Sequence, residues 1–144
     1  MITRTGSAVW KGTIKEGAGT LASESGTLDG VSYSFAKRFG DEKGTNPEEL
    51  VGAAHAGCYA MQLSGLLTAA GTPPDEIAAS SAVTGEMSDG GFSITKVHLT
   101  VRAKVPGITP EAFGEAAQKA KEICPISKLL HGSVDITLKA ELAA

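Results

Sequence analysis

Cys58 lies in the run NPEELVGAAHAGCYAM, inside a stretch from position 50 to 74 with no Asp, Glu, Lys or Arg. Two chemistries are open to it. Free cysteine packs well as a small core residue, and a buried thiol is inert. As a thiolate, the same atom is a strong nucleophile. Burial raises a thiol pKa, and Cys58 lies about three turns into a helix that begins near Asn46, beyond the reach of the N-terminal dipole. A reactive Cys58 therefore needs a cation from elsewhere in the chain. His55, three residues earlier, shares its helical face. It is either the base of a Cys–His pair or a hydrogen-bonded core histidine. His98 and His131 are remote and no ligand-spaced cluster exists, so no metal is expected.

Cys124 precedes Pro125, where one helix ends and a shorter one starts. As an N-cap its sulfur would face free backbone N–H groups, which lowers a thiol pKa; a cysteine simply packed at a helix junction is the alternative. The two cysteines are too far apart in sequence for a CxxC redox pair or a zinc knuckle. They are also too few for a secreted disulfide scaffold, so a reducing, cytoplasmic compartment is expected. A disulfide between them there would be transient and functional. Glu48 and Glu49 read most simply as first-turn capping charges.

The elements that must position these residues are legible in outline. The first 36 residues suggest strands in SAVWKGTIK, GTLASES and TLDGVSYSF, with Asp29-Gly30 suited to a tight hairpin turn. RFGDEKGT reads as a loop opened by Arg38. Asn46 as N-cap, Pro47 at the first helical position and two glutamates start a helix that Gly71-Thr72-Pro73-Pro74 stops. That helix of about 24 residues is apolar almost all round, which predicts burial on most sides. Residues 77–87 form a strand and Asp89-Gly90-Gly91 a turn. Val97, Leu99, Val101, Ala103 and Val105 then alternate with polar residues, while Phe92 and Ile94 keep the opposite parity, which predicts a bulge near Lys96. Thr109-Pro110-Glu111 starts a helix reaching about Ile123. A last strand alternates from Val134 to Leu142. The class is α+β, with antiparallel sheets wrapped around one long central apolar helix.

At 144 residues, with 42% apolar and 20% charged residues, the chain fits one soluble domain over 1–144. A net charge of −3 gives no reason to expect nucleic acid or an anionic membrane as partner. The uncharged run reaches membrane-spanning length. Its Gly, Ala, His55, Gln62, Ser64 and Thr68, without flanking basic clusters, favour a buried helix instead.

RFGDEKGTNPEELVGAAHAGCYAMQLS resembles the signature of the OsmC/Ohr family of hydroperoxide reductases, specifically its OsmC branch, whose name points to osmotic and oxidative stress. The likeness extends over essentially the whole chain, through AVWKG, TLASESGTLDG, GFSITKVHL, VPGIT and KAKEICPISKLL. It implies that Cys58 is the peroxidatic cysteine and Cys124 the resolving one. It further implies that Arg38 pairs with the thiolate and Glu48 with that arginine. Phe35 and Phe39 would line an apolar substrate channel, with His55 nearby. In the Ohr branch the arginine lies in an earlier hairpin; here that hairpin has none, which leaves Arg38. Gly57 stands where alanine is common.

The implied function is reduction of organic, lipid-type hydroperoxides through a thiolate, a sulfenic acid and an intramolecular disulfide. No cofactor is implied beyond an external dithiol of lipoyl type, and an intertwined homodimer is. One spacing argues for the dimer separately. Glu48 and Cys58 are ten residues apart, about 15 Å along a continuous helix, so Arg38 cannot easily touch both within one chain. Either the helix begins late or a partner subunit's Glu48 completes the site. Two other functions compete: a redox-sensing or binding domain, and a non-redox acyl transferase using Cys58 with His55. Cys124, in a motif resembling a resolving site, speaks against the transferase.

Overall fold

The computed structural model describes residues 1–144, which form two compact units, Met1–Leu50 and Val51–Ala144. The first holds strands β1 (Gly6–Lys11), β2 (Ala18–Ser23) and β3 (Val31–Tyr33), a short helix α1 (Phe35–Phe39) and the first turn of α2 (Pro47–Ala69). The second holds the rest of α2, then β4 (Glu76–Ser88), β5 (Gly91–Lys104), α3 (Pro110–Ile123), α4 (Pro125–Leu130) and β6 (Asp135–Leu142).

β1, β2 and β3 make an antiparallel three-stranded sheet in that order. Gly30 has the positive φ expected of it, +63°, but the connection is not a tight hairpin. β2 ends at Ser23, whose N–H donates to Leu28 O and whose Oγ accepts from Leu28 N–H. The side chain closes a wider loop over residues 24–30, a local alternative to continued strand pairing. RFGDEKGT is also not all loop. Ser34 Oγ accepts from Lys37 N–H and Gly40 N–H donates to Ala36 O, so Arg38 lies in the capped turn α1.

The start of α2 follows its sequence signals. Asn46 Oδ1 accepts from Glu49 N–H at 2.8 Å, and Glu48 and Glu49 sit in the first turn. At the other end Gly71, with φ +85°, donates to Thr68 O while Thr72 N–H reaches back to Leu67 O. This pairing is a Schellman motif, and a left-handed residue at its centre is what glycine supplies. The helix does not bury most of its circumference. Its buried residues are Gly52, His55, Tyr59, Leu63 and Leu67, one stripe, whereas Ala53, Ala54, Gly57 and Met61 are exposed in the single chain. Alanine and glycine contribute little burial energy either way, so apolar composition alone did not decide which faces are covered.

In the second unit the strand order is β4-β5-β6. The bulge is present: Thr84 pairs with Lys96 and Gly85 with Ile94, leaving Thr95 as the extra residue that switches parity. β6, however, runs parallel to β5, so this sheet is mixed rather than antiparallel. Period-two alternation identifies a strand face and carries no direction. The parallel pairing follows from the crossover through α3 and α4. Tyr59, Leu63 and Leu67 of α2, Leu99, Val101 and Ala103 of β5, and Phe113 and Ala120 of α3 form the core with Cys124. No helix is long and apolar enough to cross a membrane.

Candidate active site

The predicted residues assemble as two pairs, one in each unit. In the first unit, Glu48 grips Arg38 in bidentate fashion. Arg38 Nη2 donates to Oε1 at 2.7 Å, and Nε lies 3.1 Å from each carboxylate oxygen. α1 presents the guanidinium and the opening turn of α2 presents the carboxylate. Such planar fork-to-carboxylate pairing orients an arginine more tightly than it could a lysine. The guanidinium carbon also sits 4.9 Å from the centre of the Phe39 ring, which in turn packs against Phe35. Trp10, Ile14, Tyr33, Phe35 and Phe39 wall a cleft of about 430 Å³ in which Arg38 is the one charged lining residue. Phe35 and Phe39 therefore do line an apolar cavity.

In the second unit, Cys58 and Cys124 meet. The Cys124 thiol donates to Cys58 Sγ across 3.1 Å, and both are free cysteines. Cys124 is fully buried and Cys58 only partly so. Cys124 is the N-cap of α4, as expected, yet its sulfur caps nothing. The free N–H of that turn serves the other cysteine: Ile126 donates to the Cys58 sulfur. Burial pushes the Cys58 thiol above its ordinary value, the Ile126 N–H pulls it back in part, and the neighbouring Cys124 pushes it up again. Within this unit, then, the balance favours the thiol, and a thiolate calls for added positive charge.

His55 is not placed as a base for Cys58 or as a cavity wall. It is fully buried, with Nδ1 2.9 Å from Ser81 Oγ and Nε2 2.8 Å from Ser127 Oγ. Both ring nitrogens are thus engaged by hydroxyls, and burial holds its pKa below the usual imidazole value. This is the core histidine of the two sequence readings. Its partners Ser81 and Ser127 went unrecognised in the sequence. A serine in the otherwise apolar first turn of PISKLL was the signal available. No group of three or more His, Cys, Asp or Glu is arranged to hold a metal.

The chain falls in a known class. Residues 40–139 match the family model described as OsmC-like protein, and the chain belongs to that family. It is 47% identical over 98% of its length to Peroxiredoxin OsmC of Escherichia coli strain K12, covering 97% of that protein. It is 33% identical over 85% of its length to Organic hydroperoxide resistance protein OhrB of Bacillus subtilis strain 168, covering 88% of it. Among solved structures, the OhrB protein of Bacillus subtilis superposes with a TM-score of 0.70 at 26% identity, over 95% of this chain and 98% of that one.

Proposed function

We propose that the protein is a cysteine-based peroxidase that reduces organic hydroperoxides to alcohols. The observation that carries this reading is the meeting of Cys58 and Cys124 at 3.1 Å. The names of the Escherichia coli and Bacillus subtilis relatives support it. In the proposed cycle the Cys58 thiolate attacks the terminal peroxide oxygen and the O–O bond breaks. The oxygen stays on sulfur as a sulfenic acid and the alkoxide leaves as alcohol after taking a proton. Two electrons pass from sulfur to peroxide. Cys124 sulfur then attacks Cys58 sulfur, water leaves, and a disulfide forms. An external dithiol, expected to be of lipoyl type, restores both thiols by exchange and departs as its own disulfide. A cycle of this kind suits a reducing cytoplasm.

The cation that favours the thiolate is, in this reading, Arg38 held by Glu48. Helix α2 starts at Pro47, so the late-starting helix is not available to shorten the span from Glu48 to Cys58. That leaves about 15 Å along one uninterrupted helix. A two-fold partner supplying its own Arg38–Glu48 pair would bridge that span. The exposed small-residue face of α2, with Met61 79% exposed, is consistent with a second copy packing there. The aromatic cleft beside Arg38 suits alkyl or lipid-type substrates better than hydrogen peroxide.

The test is consumption of cumene hydroperoxide driven by dihydrolipoamide, with the oxidised protein mapped by mass. Multiple turnovers and a Cys58–Cys124 disulfide are expected. Absence of that disulfide after stoichiometric peroxide would remove the reading.

A further inference from the structure

The same two elements that carry the thiols are joined a second time. His55 lies three residues before Cys58 on α2, and Ser127 lies three residues after Cys124, in α4. His55 Nε2 meets Ser127 Oγ at 2.8 Å, while the Cys124 and Cys58 sulfurs meet at 3.1 Å. On the far side of the ring, Nδ1 meets Ser81 Oγ of β4 at 2.9 Å. Gly52, one turn earlier on α2, makes this approach possible: a Cβ there would fall 2.7 Å from the Ser81 carbonyl oxygen.

Helix α4 is held by a buried polar contact as well as by packing. A helix of six residues has little stability of its own and depends on tertiary bonds. Its one fully buried side chain is Ser127, 2% exposed; Ile126 is partly buried against the core and Leu129 faces outward. A hydroxyl therefore anchors this element alongside the packing of Ile126 against the core. Burial keeps the imidazole neutral, so it has one N–H and one lone pair; one serine accepts and the other donates. No buried polar side-chain atom in the protein lacks a partner, those of this chain included.

We infer that Ser81, His55 and Ser127 are positioning residues that fasten α4 to α2, holding the Cys124 sulfur and the Ile126 N–H against Cys58 and so favouring disulfide closure. In closure, Cys124 sulfur attacks the sulfenic sulfur of Cys58, the S–O bond breaks, and the oxygen leaves as water with the Cys124 proton. The part played in turnover rests on the peroxidase reading; the bias toward the disulfide is a property of the folded chain alone.

The test compares the full chain with Ser127→Ala and Ser127→Thr in glutathione and glutathione disulfide buffers. The Cys58–Cys124 disulfide fraction is read by mass after alkylation. Ser127→Ala is expected to lower the oxidation equilibrium about tenfold, and Ser127→Thr, which keeps the hydroxyl, to stay within about threefold of the parent. The lifetime of the Cys58 sulfenic acid, trapped with dimedone after stoichiometric cumene hydroperoxide, should lengthen in Ser127→Ala alone. An unchanged equilibrium in Ser127→Ala overturns the inference, as does a threonine variant impaired as badly as alanine. If the parent forms no sulfenic acid, the peroxidase reading fails while the glutathione equilibrium still decides the positioning role. If Ser127→Ala does not fold, Ser81→Ala releases the other end of the ring and is measured in the same way. A shift supports the inference; no shift, or loss of fold in both variants, overturns it.

Discussion

Cys58 and Cys124 face each other sulfur to sulfur at 3.1 Å, although 66 residues separate them in the chain. A disulfide needs about 2.05 Å, so an ångström of travel joins them. Cys58→Ser is expected to abolish dithiol-driven peroxide consumption. Cys124→Ser should allow one attack and then stop, with the sulfenic acid at Cys58 advancing to sulfinic acid under excess peroxide. Intact mass after a single peroxide equivalent, and again after tenfold excess, distinguishes the two variants.

Arg38→Met should slow the reaction of Cys58 with peroxide by about 10²–10³, the usual loss when an electrostatic stabiliser is removed. Stability should hardly change. The Arg38 side chain is 34% exposed and Glu48 14%, and a pair screened by solvent on its arginine side contributes about 1 kcal/mol. Stopped-flow rates set beside urea melts separate the two effects. Arg38→Lys should rescue poorly, because an ammonium cannot match the two-oxygen grip of Glu48.

His55 gives stability a pH dependence of known sign. Its folded pKa is depressed by burial from an ordinary 6.5, so below that value the unfolded chain binds a proton that the native chain does not. Stability is therefore fully present above about pH 6.5 and is lost as pH falls toward the folded pKa, at up to about 1.4 kcal/mol per pH unit. Urea unfolding at pH 7.5 and 5.5 should show this loss in the parent and a shallower slope in His55→Gln. Equal slopes would mean that the ring is protonated in place.

Glycine to alanine should have opposite signs at two positions of one helix. Gly52→Ala drives a Cβ to 2.7 Å from the Ser81 carbonyl oxygen and should cost about 1–3 kcal/mol, with a fall in Tm of about 2–4 °C per kcal/mol. Gly57→Ala meets nothing within 4 Å in the single chain and should gain about 0.5–1 kcal/mol from helix propensity. A loss at Gly57 would indicate another body seated against that face. Calorimetry over a range of protein concentrations reads both.

Met61→Lys places a charge on the exposed face of α2. If two copies pack there, sedimentation should shift toward the monomer and peroxidase turnover should fall about tenfold or more, with the circular dichroism spectrum unchanged. A monomeric variant with full turnover would place the whole site within one chain.

Much of the scaffold was legible because its signals are local. Asn46, Pro47 and Gly71 mark both ends of α2, and the parity change between Ile94 and Val97 locates the bulge at Thr95. The direction of β6 was not legible, since alternation reads the same either way along a strand. α1 was hidden because one capped turn, FAKRF, leaves no periodicity to detect. At the site, the cysteines and the Arg38–Glu48 pair came from motifs, and the structure forms both pairs. The Ser81–His55–Ser127 chain was out of reach because its members are 26 and 72 residues apart. The Ile126 N–H carries no side-chain signature at all.

The backbone at Cys124 is fastened on both sides. Its N–H donates to Ala120 O and its carbonyl accepts from Lys128 N–H, each at 2.9 Å, and the ring of Pro125 fixes the next φ. The 3.1 Å between the sulfurs can therefore be closed by the side-chain torsions of the two cysteines, with no refolding of the segment around Cys124. A resolving thiol held on so fixed a backbone meets its partner without any segment having to be found or folded first.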